Sequence, residues 1–397
     1  MKKMVAVIGL GYVGLPLAIC AAKSGYRVIG IDSDIDKVAK LNAGISPVED
    51  VKNIELLDVI RMGMFKAQND YNAIKDATII LICVPTPLKD SREPDLSSLE
   101  NAAKLIGKNL SRDVLIILES TVAPGTTRNF LNTIIQSSSG LANEDFSIAF
   151  SPERIDPQNK EWNLKNTPKI VAGLTQQART LAIGFYSKFV DKIIECNSLE
   201  VAETAKLLEN SFRLVNISFI NEISIFCQKL GIDVSEVIKA ASTKPYGFMP
   251  FYPSIGVGGH CIPVDPLYLA NKASEIGSPT KLIELAAQIN QEMPGYFVGR
   301  AEEKIGGLNG KRVLVIGVSY KPNVADFRET PVEALIIGLR NKGAEVFWHD
   351  DLVAEWNGEK SVALSSNYDL VVLATPHDYL NLKILGDVQI LNTRGAI

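Results

Sequence analysis

Met4-Val-Ala-Val-Ile8-Gly9-Leu-Gly-Tyr-Val-Gly14, followed by Arg27-Val-Ile-Gly-Ile31-Asp32, is the stretch whose reading decides the fold. Five apolar residues in unbroken succession suit a parallel strand buried on both faces. The glycines then recur as GxGxxG, and 15–24 has helical character with Gly25 as its C-terminal cap. Residues 27–31 form a second strand with Asp32 at its tip. Strand, glycine turn, helix, strand and acid stand in the order that binds a dinucleotide. Gly9, Gly11 and Gly14 let a pyrophosphate settle on the helix N-terminus. Asp32 is placed to accept hydrogen bonds from both adenosine ribose hydroxyls and to repel a 2′-phosphate. Ser33 and Asp34 follow it, not arginine, so NAD is expected rather than NADP. The alternative for Asp32 is a cap on a helix over 33–41.

Further apolar runs continue the sheet at 78–84, 114–118, 147–150 and 169–172. Open parallel sheets bind ligands beyond the carboxyl ends of their strands. Position alone therefore makes Thr86, Thr121 and Glu153 candidate site residues. Each has a plainer reading: a turn former, a satisfied loop hydroxyl and a solvated loop carboxylate.

Composition bounds what such a chain does. Its 397 residues predict two or three domains, and a net charge of −4 gives no sign of a nucleic-acid or anionic-membrane partner. Hydrophobic content of 46% and charged content of 22% are ordinary for a globular protein. Cys20, Cys83, Cys196, Cys227 and Cys261 are dispersed and odd in number, which fits a reducing compartment and argues against a disulfide framework. His260, His349 and His377 are too scattered to suggest a metal cluster. No apolar run reaches membrane-spanning length. A cytoplasmic enzyme is expected.

Residues 199–230 carry neither proline nor glycine, and their apolar positions recur at three and four, so one long helix is expected there. A helix of that length commonly forms a subunit interface, so a homodimer or higher homo-oligomer is expected. Lys206 and Asn210 share one face of it. Lys244-Pro-Tyr-Gly-Phe-Met-Pro-Phe-Tyr-Pro253 suits neither helix nor strand. It reads either as an ordered loop over a ligand, presenting Phe251 and Tyr252, or as a hydrophobic loop at an interface. Gly256-Val-Gly-Gly-His-Cys-Ile-Pro-Val-Asp-Pro266 places Cys261 in a glycine turn ahead of a helix. Asp265 and Pro266 read as N-cap and first helical residue. A thiol near a helix N-terminus is favoured as thiolate, so Cys261 is either a nucleophile or a structural cysteine beside a turn. In the first case an ammonium and an amide, as on Lys206 and Asn210, suit oxyanion stabilisation.

Arg312-Val-Leu-Val-Ile-Gly317 echoes the first strand and turn, and the run ending at Asp350 echoes the run ending at Asp32. Between them the glycine loop is replaced by a longer one bearing Lys321 and Arg328, suited to clamping a diphosphate or reaching into an active site. The expected fold is α/β: two Rossmann-like parallel-sheet domains, at 1–195 and 306–397, joined by a helical middle domain at 196–305. Two such domains suggest two nucleotide-containing ligands.

The sequence resembles the UDP-sugar 6-dehydrogenases over nearly its whole length. The residues that carry the resemblance are Val7-Ile-Gly-Leu-Gly-Tyr-Val-Gly-Leu-Pro16, Glu119-Ser-Thr-Val122, Ser151-Pro-Glu-Arg154, Lys206 with Asn210, Gly258-Gly-His-Cys-Ile-Pro-Val-Asp265, and Tyr320-Lys-Pro322 with Asp326-Phe-Arg328. The resemblance implies oxidation of C6 of a UDP-sugar from alcohol to carboxylate with two NAD and one water. It implies that Cys261 captures the aldehyde as a thiohemiacetal that is oxidised to a thioester. Lys206, Asn210 and Asp265 would stabilise oxyanions and handle protons, and Thr121 and Glu153 would serve the hydrolysis. Tyr12, Val13, Thr86, Thr121 and Arg328 would join the glycines and Asp32 around NAD. Arg154, Phe251, Tyr252, Gly258 and Lys321 would join Glu153, Lys206 and Asn210 around the UDP-sugar. No metal is implied. His260 ahead of the cysteine is similar to the N-acetylhexosamine branch, and the 243–252 segment looks more like the enzymes of UDP-N-acetylglucosamine than those of UDP-N-acetylmannosamine. UDP-N-acetylmannosamine and UDP-glucose are the alternative substrates, and a two-electron 3-hydroxyacid dehydrogenase and a non-catalytic NAD or nucleotide-sugar sensor are the competing readings.

Overall fold

The computed structural model describes residues 3–155, 159 and 161–395. The chain divides into two compact units, Met1–Leu208 and Glu209–Ile397.

The first unit is built on eight strands. They are β1 (Met4–Ile8), β2 (Arg27–Ile31), β3 (Phe65–Gln68), β4 (Ile79–Ile82), β5 (Val114–Leu118), β6 (Phe146–Phe150), β7 (Lys169–Gly173) and β8 (Ile193–Glu195). Between them run α1 (Gly14–Lys23), α2 (Ile35–Asn42), α3 (Asn53–Arg61), α4 (Ser97–Asn109), α5 (Asn132–Ser139) and α6 (Gln176–Tyr186). The strand order is β3-β2-β1-β4-β5-β6-β7-β8. Successive strand residues point to opposite faces. Val5 and Val7 therefore enter one apolar layer with Leu15, Leu17 and Phe185, while Ala6 and Ile8 enter the other with Leu99, Ile106 and Ile135. Both faces are covered, so these strands read as continuous apolar runs.

Two strands depart from the parallel reading. β7 runs antiparallel to β6, and β8 runs parallel to β7 and so shares its direction. A parallel return needs a crossover, usually a helix, and the described residues of 151–168 contain none. The reversal carries Lys169, the first residue of β7, to the carboxyl end of β6.

The helix α7 (Leu199–Leu230) spans the stretch expected for it. The second unit continues with α8 (Val234–Ala241), α9 (Asp265–Glu275) and α10 (Lys281–Ile305). Then come β9 (Arg312–Ile316), α11 (Val332–Asn341), β10 (Glu345–His349), a small antiparallel hairpin of β11 (Glu355–Trp356) and β12 (Glu359–Lys360), β13 (Leu370–Leu373) and β14 (Gln389–Asn392). The sheet β10-β9-β13-β14 is parallel throughout. Val313 and Val315 pack toward Phe297, Leu335 and Leu339, and Leu314 and Ile316 toward Val371, Leu373 and Leu385.

The internal echo is structural. Gly9 (φ +90°) donates to the Ile31 carbonyl at 2.8 Å, and Gly317 (φ +85°) donates to the His349 carbonyl at 2.9 Å. A β-carbon on Gly9 would lie 2.7 Å from the Cys83 carbonyl oxygen, and one on Gly317 only 1.9 Å from that of Thr375. Gly317→Ala is expected to destabilise the protein by at least about 2 kcal/mol, from left-handed strain plus the clash. Gly310, at φ +70° with nothing within 4 Å, supplies the strain-only comparison. Gly310→Ala should cost about 1 kcal/mol. Equal losses for the two variants in urea denaturation would refute the packing argument.

Candidate active site

The turn after β1 forms a cradle. Gly14 is required by the fold, since a β-carbon there would lie 1.8 Å from the Gly9 carbonyl oxygen. Gly11 is not: nothing lies within 4 Å of its absent β-carbon. The open space suits a ligand's close approach to the backbone. Val13 is the N-cap residue of α1 and offers no side-chain cap, and α1 has no acid in its first turn. The helix N-terminus is thus available to a phosphate, and Tyr12 is exposed beside it. These residues fit the dinucleotide that the motif implies.

Asp32 is buried at the tip of β2. Its Oδ2 accepts from Leu10 N at 2.9 Å and from Lys37 Nζ at 3.0 Å, and its Oδ1 from Asp34 N at 3.0 Å. A carboxylate has about four acceptor sites, so capacity remains for a ribose hydroxyl. Asp32 is not the cap of α2. Asp34 is, accepting from Lys37 N at 3.0 Å. Lys37 is a neighbour that sequence reasoning did not single out.

At the carboxyl ends of β4 to β6 the structure gathers a second group. Thr86 Oγ1 donates to the Thr121 carbonyl at 2.8 Å, joining two candidate positions. Glu153 Oε1 accepts from Arg154 N at 2.6 Å and Ile155 N at 2.7 Å, so its carboxylate is folded over its own backbone. Arg154 reaches the Pro168 carbonyl at 2.6 Å. Beneath them lies a buried group not predicted from sequence: Lys169 Nζ is 2.8 Å from Glu119 Oε2, and Tyr186 Oη donates to Glu119 Oε1. Burial holds the Glu119 carboxyl above its usual range, and Lys169 and Tyr186 offset only part of that rise. Lys169 also reaches the Pro152 carbonyl at 3.3 Å. It thereby ties the ion pair to the turn that bears Glu153. The available signal was a lysine heading an otherwise apolar strand, one step too polar for a core position.

Lys206 is also buried, on α7, at 8% exposure.

In the second unit, Cys261 is the one exposed cysteine of the five. Its carbonyl accepts from Val264 N and Asp265 N, a turn that leads directly into α9. The N-cap of α9 is Val264, and Asp265 is its first residue, with Pro266 behind it. The expected capping role of Asp265 is therefore corrected, because the turn takes up the helix start one residue earlier. Its buried carboxylate instead accepts from Asn210 Nδ2 at 2.5 Å. Phe251 packs beside Phe212 at 5.8 Å between ring centroids and against the Ile220–Ile238 cluster, whereas Tyr252 is exposed.

The glycine loop is bound to the 320–331 segment. Gly259 N donates to the Arg328 carbonyl at 3.2 Å, and a β-carbon on Gly258 would lie 2.6 Å from that of Glu329. Arg328 grips Asp326 through Nε and Nη2. Burial raises the Asp326 carboxyl, but these bonds hold it below its usual range. Burial and then the Arg328 charge lower the His260 imidazole, which favours its neutral form. Lys321 lies on the same segment, near Asn323, whose N–H donates to His377 Nδ1 at 2.9 Å. His377 Nε2 then donates to Asp350 Oδ1 at 2.9 Å. Asp350 thus repeats the place of Asp32, accepting from Val318 N at 3.0 Å, but its other sites are taken by Ser319, Leu352, Val353 and His377. The second unit spends this acid on holding its own loops.

Among the described residues no group of three or more His, Cys, Asp or Glu side chains could hold a metal ion, and no helix is long and apolar enough to cross a membrane.

Three sequence profiles of one family match in succession. The NAD binding domain of the UDP-glucose/GDP-mannose dehydrogenase family matches residues 3–190, its central domain 200–292 and its UDP binding domain 314–392. The UDP-N-acetyl-D-glucosamine 6-dehydrogenase of Pseudomonas aeruginosa is 36% identical over 387 residues, covering 94% of this chain and 90% of that protein. The UDP-N-acetyl-D-mannosamine dehydrogenase of Pyrococcus horikoshii is 35% identical over 380 residues, covering 94% and 89%. A solved structure of the UDP-ManNAc dehydrogenase from Pyrococcus horikoshii superposes with a TM-score of 0.91 at 33% identity, over 99% of this chain and 95% of that one.

Removing one partner of a buried ion pair leaves an uncompensated charge, which costs about 3–5 kcal/mol. Lys169→Met should lose stability on that scale in urea denaturation, and adding Glu119→Gln should restore part of it. A single variant as stable as the parent would show that the pair is not charged.

Proposed function

Because the chain belongs to the UDP-glucose/GDP-mannose dehydrogenase family, we propose that it oxidises C6 of UDP-N-acetylglucosamine from alcohol to carboxylate. NAD supplies the hydride acceptor. In this reading residues 1–195 hold it, 196–305 carry the nucleophile and 306–397 bind the UDP moiety. The observation that carries the proposal is the exposed Cys261 in the turn that opens α9, with the buried Asp265 carboxylate and its partner Asn210 in the same unit.

The chemistry follows from these groups. After the first oxidation the Cys261 sulfur bonds to C6 of the aldehyde as the C=O π bond opens, and the thiol proton passes by way of Asp265 to the C6 oxygen, giving a thiohemiacetal. Loss of a second hydride and that proton gives a thioester. Water then adds, the C–S bond breaks, and the carboxylate leaves with the thiolate restored. Covalent capture prevents escape of the aldehyde between the two oxidations. Lys206 and Asn210 stabilise the oxyanions, and Asp265 takes and returns the thiol proton. Thr121 and Glu153 orient the hydrolytic water. Gly9, Gly11, Tyr12, Val13, Gly14, Asp32, Thr86, Thr121 and Arg328 serve the cofactor. Glu153, Arg154, Lys206, Asn210, Phe251, Tyr252, Gly258 and Lys321 serve the UDP-sugar.

A second reading takes the manno epimer, UDP-N-acetylmannosamine, and the 0.91 TM-score to the Pyrococcus horikoshii enzyme favours it. Incubation with a panel of UDP-sugars, with NADH counted per sugar consumed, separates the two. Two NADH per UDP-N-acetylglucosamine is the expected result. One NADH per sugar would sink the four-electron scheme, and preference for the manno epimer would move the substrate. Cys261→Ser is expected to abolish four-electron turnover; unchanged turnover would remove the thiol from the mechanism.

Leu208, Phe212, Phe219, Phe226 and Leu230 are exposed along α7. Their spacing forms one apolar stripe, which a second copy of the chain would cover. Light scattering is expected to give a dimer or larger assembly, and Phe219→Glu a monomer. A monomeric parent at micromolar concentration would contradict this.

A further inference from the structure

The nucleophile turn is held from behind by a helix with a notch in it. Pro294 lies inside α10. Proline has no N–H, so the carbonyl of residue 290, one turn earlier, loses its ordinary helical donor. Gly256 fits against that carbonyl: its φ is +129°, and a β-carbon there would lie 3.0 Å from the Asn290 carbonyl oxygen and 3.3 Å from Pro331. The side chain of Asn290 then grips the next residue. Its Oδ1 accepts from Val257 N at 2.7 Å, and its Nδ2 donates to the Val257 carbonyl at 3.3 Å. Asn290 is 8% exposed, and both backbone groups of Val257 are served by this one carboxamide, in the manner of a strand neighbour. A second amide acts just upstream. Asn221 of α7, fully buried, accepts from Ser254 N at 2.9 Å. Downstream, Gly258 and Gly259 rest on Tyr320 and Glu329. The chain entering Cys261 is thus pegged at Ser254, Val257 and Gly259.

We propose that Asn290 is a positioning residue for the Cys261 thiol, its carboxamide pinning Val257 in the notch made by Pro294 and so fixing the turn that presents the sulfur at the start of α9. Asn290 acts through the backbone of Val257. The proposal rests on the reading of Cys261 as nucleophile, and its test is arranged to fail separately from that reading. An orphaned Val257 would let the glycine turn relax, and small displacements of a reacting group are costly in rate.

The test compares Asn290→Leu, which removes both bonds at similar size, with Asn290→Asp, which keeps the acceptor and loses the donor. Ser218→Ala is the structural control, since Ser218 Oγ bonds the Ala286 carbonyl between α7 and α10 at 2.7 Å without touching the turn. The full-length enzyme is assayed well below every variant's melting temperature. Asn290→Leu is expected to lower kcat about 100-fold with KM for the UDP-sugar within about threefold, with Asn290→Asp between it and the parent. Ser218→Ala should keep the parental kcat even where it melts earlier. In ligand-free enzyme, iodoacetamide labelling of the Cys261 peptide, followed by mass spectrometry, should slow about tenfold in Asn290→Leu as the thiol leaves the helix end. A parental labelling rate, a parental kcat, or an equal loss in Ser218→Ala would each overturn the proposal. If instead Cys261→Ser still turns over while Asn290→Leu slows labelling, the nucleophile reading fails and the positioning of the thiol stands. Should Asn290→Leu not fold, the Asn290→Asp measurements decide alone.

Discussion

A turn with no room for a β-carbon closes the first strand of each sheet, and a carboxylate from the neighbouring strand holds it. Gly9 and Gly317 both take positive φ against the carbonyl of a third strand, and Asp32 and Asp350 both accept the next backbone N–H. In the first unit this closure brings the N-terminus of α1 to the carboxyl end of β1, with the space at Gly11 open. The same device yields a different result in the second unit. There His377, Ser319 and two further N–H groups fill the acid, so the carboxylate organises the loop bearing Lys321 and Arg328.

Buried charge sets a second constraint. An isolated ion of either sign is too costly to keep in a protein interior. Lys169 and Glu119 are tolerated because each meets the other, with Tyr186 and two carbonyls completing the set. The group exists only because β7 runs against β6. Were β7 parallel, Lys169 would start at the opposite end of the sheet. The direction of one short strand thus decides whether a lysine is a strand end or the support of the turn at Glu153.

Around Cys261 the constraint is hydrogen bonding in a segment without regular structure. Residues 250–260 form neither helix nor strand, so their backbone groups need partners from elsewhere. Asn221 and Asn290 supply them, and Gly256, Gly258 and Gly259 let the chain approach a helix and the 320–331 segment closely. Cys261 follows this segment directly and is exposed.

The sequence by itself determined what depends on neighbours along the chain. The order of strand, glycine turn, helix and acid, the echo of that order after residue 312, the uninterrupted α7 and the cysteine ahead of a helix are all local patterns of period, breaker and cap. Their physics acts within one or two turns, so they were legible without coordinates. Even there, one-residue matters such as Asp34 rather than Asp32 capping α2, and Val264 rather than Asp265 capping α9, needed the backbone geometry. What only the tertiary structure decided is what joins residues distant in the chain: the reversal of β7, the Glu119–Lys169–Tyr186 group, the capture of Asp350 by His377, and the grip of Asn290 on Val257. Each turns on whether a polar group meets its partner in a place without water, and neither period nor composition records which distant partner that is.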